Sequence, residues 1–245
     1  MRSLRIATFN LENFDETDPE ERPSLAERIA LMRPQIERLR ADIVCFQEVN
    51  GQEREGEPRG LAALQALLDG TNLEGADLVS TRTQTGEVFD QRNLVVASNL
   101  PVVSSAQIRN ELVAAPEYRR LTADPPDTDA RVVGIERPIQ HLVIDVGEDA
   151  MQTELLHVIN VHLKSKLPTN IPGQKVDNFT WRTASGWAEG FFLSSLKRMS
   201  QALEVRWLVD QILDDDIDAS IIVAGDFNAE PNEVPVLAIR GDVES

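Results

Sequence analysis

Four short apolar runs in this chain stop abruptly at polar residues of the kind that carry chemistry. That pattern constrains the fold more than any other feature. Ile6-Ala7-Thr8-Phe9 ends at Asn10, Ile43-Val44-Cys45-Phe46 at Gln47-Glu48, and Asn160-Val161 leads into His162; Ile221-Ile222-Val223-Ala224-Gly225 ends at Asp226, with Asn228 two residues on. Short β-branched runs of this length read as buried strands. In α/β folds the ends of strands are where loops converge on a site. Singly, each cluster has a plainer reading. Asn after a strand and the Gly-Asp pair are common turn formers, and a His within a strand is more often a satisfied core residue than a catalyst.

The rest of the chain alternates in the same way. Ser24 is placed to cap a helix whose apolar positions are Leu25, Ile29, Met32, Ile36 and Leu39, with Pro34 expected to kink or break it. A polar loop through Pro23 precedes it, and a short helix over Leu61–Leu68 closes at Asp69-Gly70. Further strands are expected at Ala76–Thr81, Asn93–Ser98, Val102–Ile108, Val132–Glu136, His141–Val146, Leu155–Leu163 and Asp218–Ala224. Pro125-Pro126-Asp127 and Gly147-Glu148-Asp149 read as loops. Trp187–Leu213 is helical in pattern, with Phe191, Leu196, Met199, Leu203, Trp207 and Ile212 as its apolar face; the tail after Pro231 reads as short. With no internal repeat or low-complexity linker, one α/β domain is expected.

Composition narrows the class. The 245 residues carry a net charge of −17, which opposes non-specific binding to polyanions. Against that background His157–Asp210 holds seven basic and four acidic residues, a local balance of +3. It reads either as mixed solvated surface or as a positive lip beside a phosphate site. No apolar run approaches the ~20 residues of a membrane span, and no leader pattern follows Met1. The lone Cys45 has no partner for an internal disulfide, so cytoplasm is the expected compartment.

A phosphoryl-transfer site needs hard oxygen ligands for Mg²⁺, which Glu48, Asn10 and Asp226 supply. It needs a group to orient or deprotonate water, and Asp226 backed by the Asn228 amide suits that. It also needs positive or proton-donating groups for charge building on the phosphoryl oxygens. His162 fits, with Lys164 as a helper.

The strings Arg5-Ile6-Ala7-Thr8-Phe9-Asn10, Asp42-Ile43-Val44-Cys45-Phe46-Gln47-Glu48, Asn160-Val161-His162-Leu163 and Gly225-Asp226-Phe227-Asn228 resemble the ordered motifs of the endonuclease/exonuclease/phosphatase superfamily. Asn93-Leu94-Val95-Val96-Ala97-Ser98-Asn99-Leu100-Pro101 is similar to the family strand ending in a Ser-x-x-Pro turn. The resemblance runs from residue 5 to residue 228. It implies a four-layered α/β sandwich, two packed mixed β-sheets flanked by helices, and divalent-metal-dependent hydrolysis of a phosphate ester with Mg²⁺ or Mn²⁺. On that resemblance Glu48 is the principal metal ligand with Asn10 beside it. Asp226 aligns or deprotonates the water, held by Asn228, and His162 contacts the scissile phosphate. Lys164, Arg137 and Asn93 are carried as substrate-binding candidates, Arg137 also reading as a surface residue.

The family pattern ends in an Asp-His pair on a late strand, and none of His141, His157 and His162 lies beyond Asn228. One domain over residues 1–245, C-terminally incomplete and lacking its last strand or strands, is therefore expected, with an exposed sheet edge and weakened catalysis. The expected substrate is a phosphodiester, possible partners being a nucleic acid or nucleotide; a membrane partner is not expected. The alternatives are a phosphomonoesterase or phospholipid-directed hydrolase, with Phe179-Thr180-Trp181 and Trp187–Phe192 as aromatic candidates that also read as helix core, and a non-catalytic binding module.

Overall fold

The computed structural model describes residues 3–16, 22–147 and 153–241. In chain order the elements are β1 Ile6–Phe14, α1 Leu25–Leu39, β2 Ile43–Val49, β3 Gln52–Arg54, β4 Glu57–Gly60, α2 Ala62–Leu68, β5 Asp77–Ser80, β6 Asn93–Ser98 and β7 Val102–Ile108. There follow β8 Glu117–Tyr118, β9 Arg131–Val132, β10 Ile139–Asp145, β11 Leu155–His162, α3 Ala184–Asp215, β12 Ser220–Asp226 and α4 Val234–Arg240. The chain divides into two compact units. The first is Met1–Gln107, Gln140–His162 and Asp218–Asp226; the second is Ile108–Ile139, Leu163–Ile217 and Phe227–Ser245.

The first unit is built on two four-stranded sheets, ordered β1-β2-β6-β5 and β12-β11-β10-β7. Both are mixed. β1 runs parallel to β2 and β12 parallel to β11, while β2–β6, β5–β6 and β10–β11 are antiparallel. Alternation along β2 explains the layering, because successive side chains point to opposite faces. Ile43 and Cys45 pack with Val96 against Leu142, Ile144, Leu156 and Val158 of the second sheet. Val44 and Phe46 face the other way, into a cluster with Ile36 of α1 and Leu64 and Leu67 of α2. Each such fully buried side chain stabilises by roughly 1.5–3 kcal/mol. Cys45 sits in the inter-sheet core, and burial pushes its thiol up to about 12.

α1 opens with the expected cap: the Ser24 side chain accepts from Glu27 N, and the Glu27 side chain accepts from Ser24 N. The helix continues through Pro34 without a break. The helical bond lost there is outweighed by burial of the face that carries Ile36.

The second unit is organised by the 32-residue α3, capped by the Thr183 hydroxyl, which accepts from Gly186 N at 2.9 Å. Two of its glutamates are buried. Glu204 accepts the backbone N–H groups of Asn110, Glu111 and Leu112, and Glu189 takes Leu121 N, Thr122 N and the hydroxyls of Thr122 and Tyr118. α3 buries Leu193, Ala202, Val205, Leu208, Val209 and, of the expected face, Ile212, and exposes Phe191, Leu203 and Trp207. This corrects the apolar face expected for it. The supposed strand Val132–Glu136 is likewise reduced to the two-residue β9, paired with β8. Val133 N donates to Pro116 O and Ile135 N to the Asn110 side chain. Beyond Pro231 the chain forms α4, started by Pro235 and closed by Gly241 at φ 70°. Parts of the loop before Pro23, and Glu148-Asp149 of the expected Gly147-Glu148-Asp149 loop, lie outside the described residues. No helix among the described residues is long and apolar enough to cross a membrane.

Candidate active site

Each sheet contributes one parallel pair, and the site lies where both pairs end. In the first sheet Asn10 is in register with Gln47; in the second His162 is in register with Asp226. Parallel pairing aligns the C-terminal ends of the partners, so the polar residues that end the apolar runs become neighbours.

Asn10, Glu48, His162 and Asp226 converge. Asn10 Nδ2 donates to Asp226 Oδ2 at 2.9 Å and lies 3.4 Å from Glu48 Oε1. His162 Nε2 is 3.5 Å from Glu48 Oε1 and 3.5 Å from Asp226 Oδ2. The imidazole is buried, whereas the Glu48 and Asp226 side chains keep 17% and 31% exposure. A ligand can therefore reach the carboxylates while the imidazole stays buried.

The backbone is strained to make this arrangement. Glu48 sits at φ 58°, and Glu12 and Asn13 at φ 52° and 49°. For a non-glycine residue this left-handed region costs roughly 1–2 kcal/mol. The strain coincides with register shifts between Asn10 and Phe14 in β1 and between Phe46 and Val49 in β2. The bulge in β1 turns Asn13 N toward Glu48 Oε2 at 3.1 Å, and Arg92 Nε donates to the Asn13 side chain at 3.1 Å.

Gly225, part of an expected turn signal, lies instead inside β12 at φ 140°, where a Cβ would collide with the Val161 carbonyl. Only glycine lets β12 close on β11 next to Asp226.

Beneath the site a buried amide chain crosses from sheet to sheet. Gln47 Nε2 donates to Asn160 Oδ1 at 2.9 Å, Asn160 Nδ2 to Gln140 Oε1 at 3.1 Å, and Gln140 Nε2 to Val79 O at 2.7 Å. Sequence reasoning missed the parts played by Asn160, Gln140, Asn13 and Arg92. The signal for Asn160 was its place two residues before His162 on the same strand face.

Asn93 is fully buried and its amide is spent on Val49 O, Phe89 O and Phe89 N. Asn93 thus braces the loop before β6. In the second unit Asn228, at φ 46°, donates to Leu163 O at 3.0 Å. Lys164 Nζ donates to Ser165 Oγ, and Gln201 takes Lys164 N and reaches Arg137 O. Burial holds the Lys164 ammonium below the usual lysine range; Glu136 works against that, and Lys197, Arg137 and Arg198 add to it. The basic window is partly paired, with Lys166 on Glu233 and Arg206 on Asp210.

Among the described residues no group of three or more His, Cys, Asp or Glu side chains forms a ready metal cage. The two carboxylates are a sparse oxygen set that suits a hard cation keeping several waters, the usual manner of Mg²⁺; the Asn10 amide turns Nδ2 toward them, and its Oδ1 accepts Glu12 N at 2.9 Å.

Residues 7–241 match the model of the Endonuclease/Exonuclease/phosphatase family, and the chain belongs to that family. Its fold is similar to that of a mannosyl-6-phosphatase from Bacteroides thetaiotaomicron, at 14% identity and TM-score 0.56, over 97% of this chain and 70% of that one. An endonuclease/exonuclease/phosphatase family protein from the same organism aligns at 13% identity and TM-score 0.55, over 96% of this chain and 66% of that one. TDP2 from C. elegans aligns at 17% identity and TM-score 0.50, over 91% of this chain and 48% of that one. Comparison with curated protein sequences returns no match. The motif-based family assignment and the α/β sandwich of mixed sheets and helices both hold, and members of this family are hydrolases.

Proposed function

We propose that this chain is a divalent-metal-dependent phosphoesterase acting first on a phosphodiester, in one domain of the family type. The observation that supports it is the meeting of Asn10, Glu48, His162 and Asp226 within 3.5 Å contacts at the ends of the two parallel strand pairs. Glu48, with Asn10 beside it, would hold Mg²⁺ or Mn²⁺. When bound, the cation supplies positive charge to the phosphoryl oxygens.

The chain's own residues do the rest. Asp226, whose carboxylate is fixed by the Asn10 amide, orients the attacking water and takes its proton. Asn228 positions the turn that follows Asp226. His162, steered by the two carboxylates, donates to a non-bridging oxygen as charge builds there. Lys164 and Arg137 supply positive charge toward the substrate. The lone buried Cys45 suits a reducing, cytoplasmic setting.

A second reading, a small phosphomonoester substrate, is favoured by the net charge of −17, which disfavours long polyanions. The exposed Trp187, Phe191 and Phe179 leave a phospholipid substrate as a third reading. Hydrolysis of a chromogenic phosphodiester against its monoester counterpart, with Mg²⁺, Mn²⁺ or EDTA, separates the first two. A diester preference of tenfold or more supports the first reading and a monoester preference the second. Turnover of neither, with any metal, contradicts both.

A further inference from the structure

We propose that the second unit carries a binding site for a small organic anion, in the cavity whose wall holds Arg120, Arg131 and Lys197. The cavity measures ≈ 320 Å³, at the lower end of the range for small-molecule pockets. Among the described residues its wall holds three cations and no carboxylate. In a chain with 41 acidic and 24 basic residues, that is a local inversion of sign.

The carboxylates paired with these cations are not among the wall residues, and they hold the cations in place. Asp127, with its side chain 3% exposed, takes Arg120 Nε and Nη2 at 2.7 Å each. The Arg120 hydrogen bonds are the main cause that holds its carboxyl at about 2, so it stays ionised as the fork's anchor. Arg131 is 3.7 Å from the same carboxylate and 70% exposed. One carboxylate thus serves two guanidinium groups, the buried Glu189 behind Tyr118 also acts on Arg120, and Arg131 is left as the cation most open to solvent. Lys197 pairs with Glu136.

The wall is also held in shape before any ligand arrives, which lowers the cost of binding. The Tyr118 hydroxyl donates to the buried Glu189 at 3.0 Å, and its ring packs on Phe192 with centroids 5.2 Å apart. The Tyr118 ring, Val132 and Leu193 give the cavity apolar wall beside its charge. The matching ligand is a ring, aromatic or sugar, that ends in a phosphate, phosphonate or carboxylate group. Such a ligand would meet Arg131 with its anion and Tyr118 with its ring.

This site rests on second-unit residues alone and stands apart from the phosphoesterase reading. Phenylphosphonate, whose P–C bond a phosphoesterase does not cleave, is the probe, titrated calorimetrically into the full chain in EDTA. The expected result is saturable 1:1 binding that weakens as salt rises. Binding should be at least tenfold weaker in Arg131→Gln and in Val132→Glu, which puts a carboxylate into the wall. Both side chains are exposed, so unfolding midpoints should stay at the wild-type value. No saturable binding to the wild type, or equal binding in the wild type and both folded variants, overturns the proposal.

Discussion

Asn10 and Asp226, 216 positions apart in sequence, are joined by a 2.9 Å hydrogen bond from the Asn10 amide to the Asp226 carboxylate. The bond ties the middle of β1, just before its bulge, to the end of β12, and so one sheet of the first unit to the other. The same amide lies 3.4 Å from Glu48, which makes Asn10 a hinge between two carboxylates that would otherwise repel. Asn10→Ala should lower kcat/KM by roughly 10–100-fold, the range for groups that orient a metal site or its ligands. Steady-state kinetics at several Mg²⁺ concentrations would check this, and a change within twofold would show that Asn10 orients nothing.

Gly225 has a steric reason to be glycine. A Cβ there would overlap the Val161 carbonyl in the parallel ladder between β11 and β12. Gly225→Ala is expected to destabilise the fold by about 2–4 kcal/mol and to displace Asp226, so activity falls with stability. Urea unfolding measures the first effect. A variant with wild-type stability would mean that the two strands do not approach as closely as described.

Glu204 is fully buried and accepts three consecutive backbone N–H groups, from Asn110 to Leu112. Removing it leaves those donors without an acceptor, at ~1–3 kcal/mol for each that stays dry. Glu204→Ala should therefore cost about 3 kcal/mol or more in chemical unfolding at neutral pH. A cost under about 1 kcal/mol would assign the carboxylate no anchoring role.

His141 and His157 share a 3.0 Å hydrogen bond between ring nitrogens on neighbouring strands. Burial, then the neighbouring His157, holds His141 down at about 4, against about 6.5 for an unfolded chain. Above pH ~6.5 both states are neutral at this residue and it contributes nothing. Between ~6.5 and ~4 the unfolded chain takes a proton that the folded one refuses, so stability is lost as pH falls through that window, and the loss levels off below it. Urea midpoints between pH 7.5 and 4.5 should fall more steeply for the wild type than for His141→Gln. Parallel curves would remove His141 from the account.

Much of the first unit was legible because most of its strands contain short apolar runs bounded by turn residues. Asn93–Ser98 and Val102–Ile108 are strands with the bounds expected of them. β2 runs past its apolar stretch through Gln47 and Glu48 because Gln47, though polar, is buried and satisfied by Asn160. A period-based reading cannot anticipate a polar residue whose partner lies on the other sheet. The second unit was harder to read for a related reason. α3 buries Glu189, Arg198, Gln201 and Glu204, which hydrogen-bond to loop backbone, so hydrophobic periodicity alone points to the wrong face. At the site, the motif residues Asn10, Glu48, His162 and Asp226 were legible as strand-end polar groups. The work of Asn10 as a donor to two carboxylates, and the burial of Asn93, depend on pairings that only the folded chain displays.

The central claim is that the carboxylate pair serves metal-dependent phosphate-ester hydrolysis. The most direct test is turnover of a chromogenic phosphodiester and its monoester counterpart across a Mg²⁺ and Mn²⁺ titration, for the wild type, Glu48→Gln and Asp226→Asn. The account predicts metal-dependent turnover of at least one ester, abolished by EDTA. Each variant should lower it by a factor on the order of 10² or more while keeping the wild-type unfolding midpoint. Turnover that persists in EDTA, turnover unchanged in both folded variants, or no hydrolysis by the wild type at any metal concentration would contradict it.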